Sequence, residues 1–108
     1  MTVEYQIIYW RDIPAQLKVR AAGARRLSRE LSDRFQKAID EAAMRAGLTG
    51  TDDYLAAWRI SPWQQRDGES ETVADAIVSE VEGNYSPGRL TQMVLNGGYD
   101  PHPNVAGK

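Results

Sequence analysis

Cysteine is absent from this sequence and histidine occurs once, and the two shortages together remove most site chemistries. Without cysteine there is no disulfide, no thiolate nucleophile, no iron–sulfur ligation and no thiol-based zinc site. The lone histidine, His102, stands between Pro101 and Pro103 near the end of the chain and reads as an exposed tail residue. A zinc site would have to be built almost wholly from carboxylates, which is unusual for that metal. A serine or threonine nucleophile would find no imidazole base outside that tail. Long apolar runs are also missing: nothing approaches the roughly 18 residues of a membrane span. The opening Met1-Thr2-Val3-Glu4-Tyr5 lacks the basic-then-apolar order of a secretory leader, so a cytoplasmic protein with no membrane contact is expected.

What is present suffices for one core. A chain of 108 residues, 42% hydrophobic and 26% charged, has ordinary globular composition and needs no metal or disulfide staple. Val3 to Trp10 alternates β-branched and aromatic residues, with Val3, Tyr5, Ile7 and Tyr9 on one face, and reads as the central strand. Ile8 and Trp10 make the other face apolar toward the strand's end, so something must cover Trp10. Pro14 interrupts the chain. Gln16 to Arg20 and Arg26 to Leu31 then alternate around Ala21-Ala22-Gly23-Ala24, which predicts a hairpin with Val19 opposite Leu27 and Lys18 opposite Ser28. A charged helix is the alternative there, because Ala, Arg and Leu are good helix formers.

Ser32 as N-cap, then Phe35, Ala38, Ile39, Ala42 and Ala46 at helical spacing, predict a helix that ends at Gly47, with Arg34, Lys37, Glu41 and Arg45 on a solvated face. Thr49 to Asp53 reads as a polar connector. Tyr54 to Arg66 reads as a strand, confined to an edge or bulged by Pro62. From Glu71, Val73, Ile77, Val81 and Tyr85 mark a second helix, capped by Ser70 or Thr72. Ser86-Pro87 starts a short third one carrying Leu90, Met93 and Val94 and ending at Asn96-Gly97-Gly98. That Asn-Gly-Gly lacks the lysine and following helix of a phosphate loop. The order of strand, hairpin, helix, strand, helix and short helix predicts an α+β fold: a mainly antiparallel sheet with helices packed on one face. Residues 1–98 form one domain in this reading and residues 99–108 a mobile tail.

Tyr9-Trp10-Arg11-Asp12-Ile13-Pro14-Ala15-Gln16, Leu31-Ser32-Asp33-Arg34-Phe35-Gln36, Ala42 to Leu48, Thr51 to Leu55 and Trp58-Arg59 together resemble the bacterial virulence factor domain family. The resemblance covers roughly the first 60 residues and extends to the second helix as a pattern. It implies no catalytic residues and no cofactor. It does imply an accessory role, with folate- and corrinoid-dependent methyl transfer as the setting.

Two features remain. Arg11 to Lys37 holds eight basic residues (Arg11, Lys18, Arg20, Arg25, Arg26, Arg29, Arg34, Lys37) against three acidic ones (Asp12, Glu30, Asp33), a net +5 in a chain of net −2. The remainder sums to −7, and Asp67 to Glu82 supplies much of it, so a charge dipole is expected. Arg20, Arg25, Arg26 and Arg29 would then be an anion or nucleic-acid contact, a dock for an acidic protein surface, or simply a solvated edge. The second feature is the coincidence of Trp10, Arg11, Asp12, Ile13 and Gln16 around a strand end and a proline. Aromatic and arginine residues are enriched at protein interfaces, so these five are the expected contact with a protein partner. In the plainer reading Asp12 shapes the loop, Ile13 packs and Arg11 pairs with Asp12. Carboxylate neighbours such as Asp52 with Asp53, or Glu80 with Glu82, read as surface residues rather than an acid–base pair. The expected function is a non-catalytic accessory protein that binds another protein, with anion or nucleic-acid binding through the basic hairpin as the alternative.

Overall fold

The alternating segment β1 (Thr2–Trp10) takes the centre of a five-stranded antiparallel sheet. On one side it pairs with β2 (Ile13–Arg20), and β3 (Leu27–Glu30) lies outside β2. On its other side it pairs with β4 (Trp58–Ile60) at one end and β5 (Gln64–Asp67) at the other. The structure, a computed structural model, describes residues 2–100, so His102 lies outside the described residues.

The β2–β3 hairpin has the expected register, with Val19 opposite Leu27 and Lys18 opposite Ser28, which disposes of the helical alternative. Gly23 in the turn has φ +73°, a conformation that costs glycine little. Pro14 does not interrupt the chain as expected. It lies buried within β2, opposite Tyr9. Ile8 faces Gln16 while Tyr9 faces Pro14, so Ala15 is an extra residue and the strand bulges there. The proline's missing N–H costs no ladder bond to β3, whose pairing begins only at Gln16.

The segment expected as one strand from Tyr54 to Arg66 is three pieces. Asp52–Ala56 is a short helix, α2, started by Thr51, whose hydroxyl accepts from the Tyr54 N–H at 3.2 Å. β4 and β5 then follow along the same edge of β1, separated at Ser61-Pro62-Trp63, where proline breaks the ladder as an edge position allows.

The three expected helices are present as α1 (Asp33–Arg45), α3 (Ser70–Asn84) and α4 (Pro87–Leu95). α1 and α3 pack on the sheet and α4 on α1. Val3, Leu17 and Val19 of the sheet share one core with Phe35, Ile39 and Ala42 of α1, Val73 and Ile77 of α3, and Leu90 and Met93 of α4. Fully burying each large member of that set is worth about 1.5–3 kcal/mol. Caps differ from expectation at two of the three starts. Ser86 caps α4, accepting from the Arg89 N–H at 3.1 Å. Ser32 holds the N-cap position of α1, but its hydroxyl donates instead to Glu82 of α3. Glu69, not Ser70 or Thr72, occupies the cap position of α3.

By strand alternation Trp10 falls on the side opposite Val3, Tyr5 and Ile7, yet it is completely buried. Its cover comes from two distant places. Tyr54 of α2 lies 5.7 Å away ring to ring and accepts the indole N–H on its backbone carbonyl at 2.9 Å. Gly98, just beyond α4, presses its backbone against the indole.

Candidate functional site

The loop from Trp10 to Gln16 is a structural joint. Of the five residues expected to meet a partner, Trp10 and Ile13 have no exposed surface, and Arg11, Asp12 and Gln16 are half-buried. Arg11 adopts φ +52° and turns the chain. Its guanidinium lies over the rings of Trp10 (5.2 Å) and Tyr99 (4.6 Å) and donates to the Gly97 carbonyl at 2.7 Å. It does not pair with Asp12. The Asp12 carboxylate accepts instead from Arg59 at 3.3 Å and from the Asp100 backbone N–H at 2.9 Å. Gln16 is half-buried in β2. Thus Tyr99 and Asp100, expected as the start of a mobile tail, are held on the domain, while residues 101–108 lie outside the described ones.

The basic hairpin is partly committed within the fold. Arg20 does not project from the turn. It pairs with Glu4 at 2.9 Å and stacks at 3.8 Å over Trp63. Arg29 faces Asp75 of α3 at 3.7 Å. Arg25 and Arg26 remain exposed. Two exposed arginines are a small footprint for nucleic acid, which requires several phosphate contacts to bind at physiological salt. Among the described residues no group of three or more His, Cys, Asp or Glu stands together as metal ligands would, and no helix is long and apolar enough to cross a membrane.

Two concave places stand out. The first is a groove of about 340 Å³ between α1 and α4. Ala38, Leu90, Val94 and Leu95 make its apolar floor and wall, and Lys37 and Arg45 stand on its rim with Glu41. Leu95 is 61% exposed, high for a leucine on a packed helix. Arg34, expected on a solvated face, lines one end but is occupied: it donates to the backbone carbonyls of Tyr85 and Glu82 and pairs with the Glu82 carboxylate at 3.1 Å.

The second is a polar hollow of about 260 Å³ where β1, β4 and the ends of α3 and α4 meet. Tyr9 and Tyr85 are half-buried in its wall, each with an arginine laid over its ring, Arg59 at 4.4 Å and Arg89 at 4.3 Å. Ser61, Asp12 and Asp100 complete it, and Asp100 is paired with Arg89 at 2.5 Å. Burial pushes the Tyr9 phenol above its ordinary pKa, with Tyr5 and Asp12 adding to the rise and Arg59 opposing it. The Tyr85 phenol is raised in the same way, chiefly by burial and by the neighbouring Tyr9. Of the seven lining residues only Asp12 is among the expected site residues. The others come from segments far apart in the chain, and no local pattern links them.

A family model described as "Virulence factor" matches residues 8–94. The chain belongs to the virulence factor family. The match runs from the last three residues of β1 to Val94 of α4, further than the resemblance visible in the sequence, so it takes in the bulged hairpin and every lining residue of the α1–α4 groove except Leu95. Every residue of the polar hollow except Asp100 also falls within it. No curated protein and no solved structure matches the chain.

Proposed function

We propose that this virulence factor domain is a non-catalytic binding module for another protein, and that the partner docks in the groove between α1 and α4. The observation that carries the reading is the pairing of an open apolar floor, including the exposed Leu95, with the cationic rim of Lys37 and Arg45. Such a surface complements an amphipathic helix whose apolar stripe is flanked by Asp and Glu. The groove burial supplies affinity, and the basic rim, with the exposed Arg25 and Arg26 adding to the positive field, favours acidic partners and speeds encounter.

A photo-crosslinking residue placed at position 95 tests this in the native cytoplasm, with wild-type and Lys37→Glu plus Arg45→Glu chains compared. The expected product is a crosslinked peptide that is acidic and amphipathic, lost in the charge-reversed variant and retained in Arg25→Ala. A crosslink indifferent to the charge reversal, a nucleic-acid adduct, or no specific crosslink would each overturn the reading. A methyl-transfer protein carrying that peptide would supply the setting suggested by the family resemblance.

A further inference from the structure

The geometry points to a second binding site, the hollow lined by Tyr9, Tyr85, Arg59, Arg89, Asp12 and Asp100, which receives the carboxylate of a small, singly charged organic acid. The site shares no lining residue with the α1–α4 groove.

Acceptors and donors in the hollow are unequally served. Asp12 is engaged through both oxygens, by Arg59 and by the Asp100 N–H. Asp100 is engaged by Arg89. The carboxylates of the hollow are therefore already served within the fold. Its donors are not. Among the described residues neither the Tyr9 nor the Tyr85 hydroxyl has a protein acceptor. Arg59 uses its Nε on the Arg11 carbonyl and one N–H on Asp12, and Arg89 uses one N–H each on the Asn84 carbonyl and Asp100. A guanidinium carries five N–H donors, so each retains several. The unserved capacity of the hollow is to donate, and a site with surplus donors recognises an acceptor-rich anion.

Contact with the tyrosine rings limits the rotamer freedom that both guanidiniums would lose on binding. Phenols titrate near pH 10, so both are protonated and hence donors at neutral pH, and burial moves each further from ionisation. Charge then selects among anions. With Asp12 and Asp100 in the same wall, a second negative charge on the ligand meets added repulsion, so a monocarboxylate is preferred to a phosphate dianion. Size narrows the class further, since about 260 Å³ is below the ~300–1,000 Å³ of drug-sized pockets.

Titration of the full chain with acetate, pyruvate and benzoate, followed by NMR at the rings of Tyr9 and Tyr85, tests the assignment. Saturable shifts confined to the hollow are expected. Binding should weaken about tenfold or more in Tyr9→Phe, and similarly in Arg59→Gln, because each removes a hydrogen bond to a charged group. Tyr85→Phe, which keeps the ring packed against Phe35, is the second test of the same donor account. No saturable shift with any carboxylate overturns the site. So do shifts that all three variants leave unchanged, or tighter binding of inorganic phosphate at pH 8.

Discussion

Among the described residues Arg11 is the one non-glycine with a positive φ, and its neighbours explain why that strain is tolerated. Its side chain is clamped between two aromatic rings and the Gly97 carbonyl, so the loop is held by contacts from the far end of the chain. In the sequence a tryptophan followed by an arginine resembles an exposed contact, because nothing local reveals that Gly97 and Gly98 will close over them. The closure requires glycine. At Gly98 φ is +101°, and a Cβ there would stand 2.7 Å from Trp10 Cζ3 and 3.3 Å from Arg11 Cδ. Trp10 is fully buried and cannot retreat. Gly98→Ala should therefore combine backbone strain with overpacking and lose about 2–4 kcal/mol of stability. Gly47→Ala, at φ +71° with nothing within 4 Å of the added carbon, should lose only about 1 kcal/mol. Urea unfolding of the two variants checks the difference, and equal losses would show that the Trp10 contact is not what fixes Gly98.

Elements whose signals are local were readable before the fold was known, and those set by distant partners were not. The β2–β3 register follows from alternation on either side of a small-residue turn, and α4 from Ser86-Pro87. α2 was hidden because Thr51-Asp52-Asp53 is equally good loop chemistry, and only five residues are helical. Ser32 has the sequence signature of an ordinary cap, but Glu82 draws its backbone N–H at 2.7 Å and its hydroxyl at 2.8 Å and also binds Arg34, tying the start of α1 to the last turn of α3. Partial burial acts to raise the Glu82 pKa, but the two bonds from Ser32 and the Arg34 charge outweigh it, and the carboxyl sits below its ordinary value. A depressed carboxyl stabilises the fold above its unfolded pKa of about 4.3 and loses that contribution as pH falls through the lower folded value. Wild type should accordingly be more stable than Glu82→Gln at pH 7, with the gap narrowing only as pH falls below about 4.3. Thermal melts of the two chains from pH 7 downward would refute the coupling if the gap were no larger at pH 7 than in acid below the unfolded pKa.

At the scale of the whole molecule, the charge segregation visible along the chain does not survive as a simple dipole, because folding lays the two halves against each other. Arg29 of β3 meets Asp75 and Arg34 of α1 meets Glu82, both on acidic α3. Arg66 of β5 forks onto both oxygens of Glu80 at 3.0 and 2.6 Å, closing the other side of that helix. The +5 stretch is thus partly neutralised in place, and its exposed cations without an ion pair among the described residues are Lys18 of β2, Arg25 and Arg26 of the turn and Lys37 of the groove, which Arg45, beyond the stretch, joins on the rim. That division separates two salt effects. The pairs around α3 stand close enough to solvent that each contributes little, and salt screens them at a Debye length near 10 Å in 0.1 M. Raising NaCl from 10 to 500 mM should lower the melting temperature by only a few degrees, since 1 kcal/mol corresponds to about 4–8 °C in a domain of this size. Partner association through the groove depends on unneutralised cations, so its on-rate should fall at least tenfold over the same range. Stopped-flow association and calorimetry at matched salt distinguish the two. A melting temperature that collapses while the on-rate holds would mean that the charges serve the fold and not the encounter.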